Sequence, residues 1–193
     1  MITEDKININ YARFIDRLKK YDCYSQQMID DLGESIKNCT FAIHTSTNCA
    51  YKGALLDVVL NNICAFAYEF NERLKVTLPN VYVDPNSLMR VLLLQHISKV
   101  EMFVPQEQEW KIKNGFIYDF NPSLNTVMKL GERSLWYCLK YKINLTEEEF
   151  EAIRSIDKDD KTDNQHVNPL VFIVKMANQL ISISKNLEKN GNA

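Results

Sequence analysis

The chain has 193 residues, a formal net charge of −2 and hydrophobic residues at 46% of its positions, enough to bury the core of one folded domain. The near-neutral charge and a pI near 6.0 provide no basic surface for nucleic acid or for an anionic membrane, so we expect neither partner. The amino terminus has no apolar signal region, and no apolar run reaches the ~18 residues that span a bilayer.

The cysteines are scattered along the chain and form no Cys-x-x-Cys pair. Their odd number and irregular spacing predict reduced thiols, packed as small apolar residues, in a cytosolic setting. They are Cys23, Cys39, Cys49, Cys64 and Cys138.

Apolar residues recur at helical spacing along most of the chain, which predicts an all-α fold. Residues 1–40 carry two amphipathic helices and form an N-terminal helical extension, whereas residues 41–190 form the main helical domain. Helices are predicted over residues 5–21, 25–39, 53–74, 84–103 and 122–141, and from residues 146 and 168 onward.

Two local motifs mark helix starts. Asp84 can cap the helix that follows it, with Pro85 at the first helical position. Thr146 and Glu149 have the spacing of a capping box, in which each side chain accepts a hydrogen bond from the other residue's backbone.

One short β-hairpin is predicted near residues 110–120. Asn114 and Gly115 lie between β-prone residues, and Asn-Gly is typical of a two-residue hairpin turn. The sequence therefore predicts one short strand on each side of this dipeptide.

Five segments form an ordered series of motifs along the chain. Residues 93–100 read Leu-Leu-Gln-His-Ile-Ser-Lys-Val, residues 49–58 read Cys-Ala-Tyr-Lys-Gly-Ala-Leu-Leu-Asp-Val, and residues 130–135, 145–154 and 174–180 follow. In their order and spacing these segments resemble the motifs of the HD-domain family of metal-dependent phosphohydrolases. In that family an adjacent His and Asp near the end of a helix bind the catalytic metal. The resemblance implies an HD-domain-like helical bundle.

At each position where the resemblance implies a metal ligand, this chain has a different residue. Gln95 replaces the His and His96 replaces the Asp of the adjacent pair. An amide is a poor ligand for a divalent transition metal, and an imidazole cannot supply a bridging carboxylate. The resemblance therefore implies a vestigial pocket with no metal, no cofactor and no catalytic residue. Its members are Cys49, Val58, Gln95, His96, Ile156 and Asn178.

Two arrangements of this pocket are open. In the first, Val58, Ile156 and the Asn178 side chain close around Gln95 and His96 and replace a charged, hydrated cavity with an apolar, amide-lined one. In the second, an imidazole beside the Cys49 thiol lowers the thiol pKa and creates a nucleophile. No third, orienting group can be assigned to such a pair from the sequence.

Other polar residues near these motifs have structural interpretations. Asp57 is predicted to be solvated. Lys99 matches a family lysine that could contact phosphate, and by itself is predicted to be a surface residue. The remaining carboxylates form a run that lacks the glycine and the closing glutamate of a calcium loop, which predicts a solvated loop. They are Asp157, Asp159, Asp160 and Asp163.

Two functions from different classes follow. In the first, the chain is a catalytically inactive HD-domain-like protein that serves as a structural or protein-interaction component. The 17 lysines against 6 arginines are typical of an AT-rich genome, as in many gut bacteria and their phages. Together with the recruitment of enzyme folds as structural parts, this bias favours a component of a bacteriophage virion, such as its neck, tail ring or an assembly part. The alternative is a nucleotide or phosphodiester phosphohydrolase whose rearranged metal site would use His96, Cys49, Asp157 and Gln95.

The N-terminal extension has an apolar stripe that helps to predict protein partners. Its apolar stripe must either pack onto the chain's own core or meet another protein, because soluble monomers rarely expose such a stripe. We expect a homo-oligomer or a larger protein assembly to which residues 1–40 contribute, in the host cytoplasm or in the virion. The stripe consists of Ile7, Tyr11, Phe14, Ile15 and Leu18.

Overall fold

The computed structural model describes residues 2–124, 128–157 and 168–190. Within them the protein is mainly helical with one two-stranded antiparallel sheet, which confirms the predicted all-α class with a short hairpin. The elements are α1 Glu4–Lys20, α2 Gln26–Asn38, α3 Ala54–Val58, a π turn Val59–Ile63, α4 Cys64–Thr77, α5 Pro85–Leu94, α6 Lys99–Met102, β1 Phe103–Pro105, α7 Glu109–Lys113, β2 Tyr118–Phe120, α8 Leu130–Lys140, α9 Glu147–Arg154 and α10 Pro169–Asn190. Within these ranges, no helix is long and apolar enough to cross a membrane.

Side-chain caps begin two helices where the sequence predicts. The Asp84 carboxylate accepts a hydrogen bond from the Ser87 backbone N–H at 3.2 Å, and Pro85 takes the first position of α5. The Thr146 hydroxyl accepts from the Glu149 N–H at 3.2 Å, while the Glu149 carboxylate accepts from the Thr146 N–H at 3.0 Å. Each cap satisfies backbone donors that the first helical turn leaves without an intrahelical acceptor.

The core is organised around the run from α3 through the π turn to α4, which the periodicity predicts as one helix. This run packs against α5 and α10. The π turn widens the helix locally, and such turns are frequent at functional sites. It places Val59 beside His96 and Ile63 on the wall of a neighbouring cavity. Residues at the centre of the core therefore also surround the candidate site.

The N-terminal helices belong to the same core. Ile7, Phe14 and Leu18 of α1 are at most 3% exposed, and α1 packs against α2, α3 and α5. Tyr11 and Ile15 are half-buried against the same core. Of the two alternatives for this stripe, the structure therefore shows packing onto the chain's own core. The stripe no longer gives a reason for residues 1–40 to meet a partner.

The hairpin differs from its predicted position. Phe103 to Pro105 of β1 pair with Phe120 to Tyr118 of β2, so the first strand lies before the predicted range and α7 lies between the strands. Asn114 and Gly115 end α7, and Gly115 has a φ of 89°. The prediction of a two-residue turn here was wrong, because a helix end and a hairpin turn both favour residues that tolerate positive φ.

One arginine joins three parts of the chain. Arg90 of α5 forms a salt bridge with Glu149 of α9 at 2.9 Å, and the Glu149 side chain is 2% exposed. The same guanidinium donates to the Tyr21 carbonyl at 3.0 Å and to the carbonyls of Asp22 and Asn144. The planar guanidinium presents several N–H donors in fixed directions, so it can bind all of these acceptors at once.

We predict that Arg90→Met lowers the free energy of unfolding by about 3–5 kcal/mol, because it leaves the buried Glu149 carboxylate without its counter-charge. Arg90→Lys should also destabilise the fold, since one ammonium cannot reach acceptors on three segments. Urea denaturation measures both effects. The control is Arg73→Met on the exposed face of α4, for which we expect a change within about 0.5 kcal/mol. An Arg90→Met protein as stable as this control would contradict the prediction.

Candidate functional site

Three of the predicted pocket residues meet in one hydrogen-bonded cluster. Gln95 caps the end of α5, His96 follows it in a tight turn, and Asn178 lies on α10. The Asn178 amide nitrogen donates to Gln95 Oε1 at 2.8 Å, and Asn178 Oδ1 lies 3.0 Å from His96 Nε2. The contact connects residues that are 82 and 83 positions apart in the sequence. Gln95 is fully buried and His96 is 6% exposed.

The hydrogen bonds assign the tautomer of His96. Asn178 Nδ2 donates both to Gln95 and to the Val174 carbonyl at 3.0 Å, so its Oδ1 faces the imidazole as an acceptor. The imidazole must therefore carry its proton on Nε2 and donate it to Asn178. Nδ1 has no hydrogen-bond partner within the described part of the chain. Burial lowers the pKa of His96 to about 3, aided by Lys99 and opposed by the Asn178 hydrogen bond.

The immediate surroundings of the imidazole are apolar. The Phe41 ring meets it edge-on, with the two ring centroids 5.1 Å apart. The other neighbours come from α1, α3, the π turn, the end of α5 and the turn after it, and only their helical spacing marks them in the sequence. They are Phe14, Leu55, Leu56, Val59, Leu93 and Ile97.

The remaining predicted pocket residues are more dispersed. Val58 is 2% exposed within the apolar core, and the half-buried Ile156 packs against the same core. Their closure around Gln95 and His96 stays a prediction. Cys49 is buried on the wall of a cavity of about 200 Å³ that Asn178 also lines. The structure thus joins Gln95, His96 and Asn178 directly and places Cys49 next to them through the cavity.

The geometry does not favour a nucleophilic Cys49–His96 pair. The Nε2 atom of His96 carries a proton and is engaged by Asn178. An imidazole whose pKa lies near 3 takes up a proton too weakly at neutral pH to act as a general base.

Two residues differ from their predicted exposure. Lys99 is buried rather than on the surface, at 9% exposure, and donates to the Phe41 carbonyl at 2.7 Å. Asp57 is half-buried rather than solvated. Its carboxylate accepts hydrogen bonds from Tyr51 at 2.8 Å, from Asn61 at 2.8 Å and from Asn10 at 3.1 Å. Asp57 thereby ties α1 to α3, a role that needs a tertiary partner and leaves no local sequence signal.

The predicted carboxylate run is only partly described. Asp157 lies in a 3-10 turn and accepts a hydrogen bond from the Gly131 N–H at 2.6 Å, so it holds the start of α8. Asp159, Asp160 and Asp163 lie outside the described residues. In the described residues, no group of three or more His, Cys, Asp or Glu side chains is placed to hold a metal ion.

The HD-domain resemblance implies a divalent metal at the cluster, and the donors found there do not fit one. The imidazole nitrogen nearest the other two residues donates a proton, and the amide oxygens of Gln95 and Asn178 already accept hydrogen bonds. A hydrolytic metal site instead needs deprotonated nitrogen and carboxylate ligands with an open coordination position.

Comparisons with known proteins do not assign the chain to a family. No family model, no curated protein and no solved structure matches this chain. The resemblance therefore rests on the order of its sequence motifs, and functional inference rests on the cluster and the surfaces.

The buried neutral His96 predicts a pH dependence of stability. Its pKa is lower in the folded protein, at about 3, than the ~6.5 of an unfolded histidine. The unfolded state therefore binds the extra proton, so stability is full above about pH 6.5 and falls as the pH decreases toward 3. Between pH 7.5 and 5.5 this group should lower the free energy of unfolding by about 1.4 kcal/mol.

Urea denaturation of the parent chain and of His96→Gln at these two pH values measures that contribution. The parent chain should lose about 1.4 kcal/mol more than the variant over this range. Equal losses for the parent chain and His96→Gln would show that His96 is not held in its neutral form.

Proposed function

We propose that the chain is a catalytically inactive HD-domain-like protein that serves as a structural or protein-interaction component, of a bacteriophage virion in its most specific form. The observation that carries the proposal is the cluster of Gln95, His96 and Asn178. Three positions that the resemblance assigns to metal ligands meet in space, and their side chains bind one another. An arrangement of this kind links α5 to α10 and so has a structural use without a metal.

The alternative, a phosphohydrolase with a rearranged site, receives less support from the same residues. His96 and Gln95 are committed to Asn178, and Asp157 accepts from the backbone of α8. To coordinate one metal, these groups would have to break their present hydrogen bonds and converge on one point. The geometry therefore favours a role carried by surfaces, which fold alone does not specify.

The outer face of α10 is the surface best suited to a protein contact. Phe172, Leu180 and Ile183 are 47%, 39% and 53% exposed, and Met176 is half-buried between them. Their i, i+4, i+8 and i+11 spacing places all four in one stripe, about 16 Å long at ~1.5 Å per residue. The opposite face of α10 supplies the buried residues Leu170, Ile173, Val174 and Ala177.

We take a second copy of the chain as the occupant of this stripe. A two-fold axis near residue 178 would align two α10 helices antiparallel, with Phe172 opposite Ile183 and Met176 opposite Leu180. Each of these pairs would then join two apolar side chains, which is the self-complementarity that a two-fold interface requires. A net charge of only −2 opposes such an association weakly.

The first test concerns metal. We predict that the protein, after incubation with Mn, Fe, Ni or Zn and dialysis, retains less than about a tenth of an equivalent, because no matched set of ligands remains. Elemental analysis by mass spectrometry provides the count. One equivalent of metal that His96→Ala removes, together with cleavage of a phosphodiester substrate, would instead support the phosphohydrolase.

The second test concerns association. We expect light scattering with size-exclusion chromatography to show a dimer, with twice the 22.5 kDa chain mass, at micromolar concentration. Ile183→Ser should weaken the dimer at least about tenfold, since each subunit loses a buried apolar side chain at the interface.

Ile9→Ser is a matched control, because Ile9 is the same residue type with the same 53% exposure on α1. It should leave the dimer unchanged. A dimer weakened by Ile9→Ser and not by Ile183→Ser would move the contact to residues 1–40, and a strictly monomeric parent chain would reject the dimer.

A further inference from the structure

A semi-enclosed cavity adjoins the cluster. Its volume is about 200 Å³, and it lies between α10, the π turn, α6 and the segment that precedes α3. Phe41, Ile63 and Ile181 give it apolar walls. Thr47 and Ser182 also line it, and because Ser182 is exposed the cavity opens to solvent beside this residue.

Among the described residues that line this cavity, Lys99 is the one cation. Its ammonium lies 3.5 Å from the centre of the Phe41 ring and donates to the Phe41 carbonyl. None of the ion pairs in the described part of the chain involves Lys99. An ammonium has three N–H donors, and here a backbone carbonyl accepts from one of them. A buried cation without a counter-ion is unfavourable unless an anion joins it.

We propose that this cavity binds a small monocarboxylate with a compact apolar body, its carboxylate on Lys99 Nζ and its body between Phe41, Ile63 and Ile181. The size follows from the volume, because a cavity of about 150 Å³ accommodates benzene and about 200 Å³ accommodates slightly more. The charge also favours a carboxylate. One ammonium and the Ser182 hydroxyl can donate to two carboxylate oxygens, whereas a phosphate dianion would bring more charge and more oxygens than one lysine can match.

This site is independent of the proposed dimer. Ile181 and Ser182 reach the cavity from the inner side of α10, whereas Ile183 belongs to the outer stripe. A monomeric protein could bind the carboxylate, and a dimer could form with the cavity empty. Failure of the binding test would therefore leave the proposed function untouched.

Calorimetric titration of the full chain with benzoate tests the proposal, with benzamide as the uncharged analogue of the same shape and with inorganic phosphate as the other anion. We expect saturable binding of one benzoate, with benzamide and phosphate each at least about tenfold weaker. Lys99→Met should weaken benzoate at least about tenfold. Lys75→Met, which removes an exposed lysine of α4 about 18 Å along the helix axis from Ile63, should not change it.

A second variant keeps the ammonium. Ser182→Phe fills the mouth of the cavity from an exposed position, so it should abolish benzoate binding without loss of the fold. If Lys99→Met does not fold, Ser182→Phe still tests whether benzoate binds in the cavity. Absence of saturable benzoate binding, equal affinities for benzoate and benzamide, binding of phosphate alone, or unchanged binding by Ser182→Phe would each overturn the proposal.

The pH profile gives an independent readout. Burial lowers the pKa of Lys99 to about 8, partly offset by Cys39, Cys49 and Asp157. His96, the other nearby titratable group, is neutral with a pKa near 3. Benzoate is ionised throughout the range from pH 6 upward, so its affinity should hold between pH 6 and 7 and decrease once the pH exceeds about 8. A constant affinity up to pH 10 would show that the lysine charge does not bind the ligand.

Discussion

The Arg90 guanidinium is the constraint on which the placement of the other elements depends. It lies on α5 and binds the end of α1, the turn between α8 and α9, and the Glu149 side chain that caps α9. Gln95 and His96 lie at the end of the same helix, so the fixed position of Arg90 also orients the cluster. The salt bridge is buried, and its value depends on the hydrogen bonds that satisfy both partners together rather than on charge attraction alone.

The cluster shows how a buried polar group can become part of a core. Asn178 satisfies one group on Gln95 and one on His96 while its own amide also reaches the α10 backbone. An amide and a neutral imidazole need only hydrogen bonds, whereas two carboxylates at these positions would need a cation to remain ionised in an apolar environment. An uncharged set of side chains thus fits among apolar neighbours such as Phe41 and Val59.

Features determined by neighbours in sequence could be predicted, and features determined by tertiary packing could not. The caps at Asp84 and at Thr146 are local, and both form as predicted. Asn114-Gly115 is also a local motif, but hairpin turns and helix ends both use residues that tolerate positive φ. The dipeptide alone therefore does not distinguish a hairpin turn from the end of a helix. The burial of Lys99 and the network around Asp57 depend on residues that are distant in sequence. Arg90 is recognisable in the sequence as the single charged residue of α5, whereas its acceptors are distant in sequence.

The geometry of α10 separates the two surfaces that carry the remaining proposals. Successive residues of a helix are rotated by about 100°, so Ile181 and Ile183 lie about 200° apart. Ile181 therefore reaches the cavity while Ile183 faces away from it, although one turn of helix contains both. Asn178, one turn before Ser182, reaches both the cluster and the cavity. A change at Asn178 should thus affect the cluster and the cavity together, whereas a change on the outer stripe should affect neither.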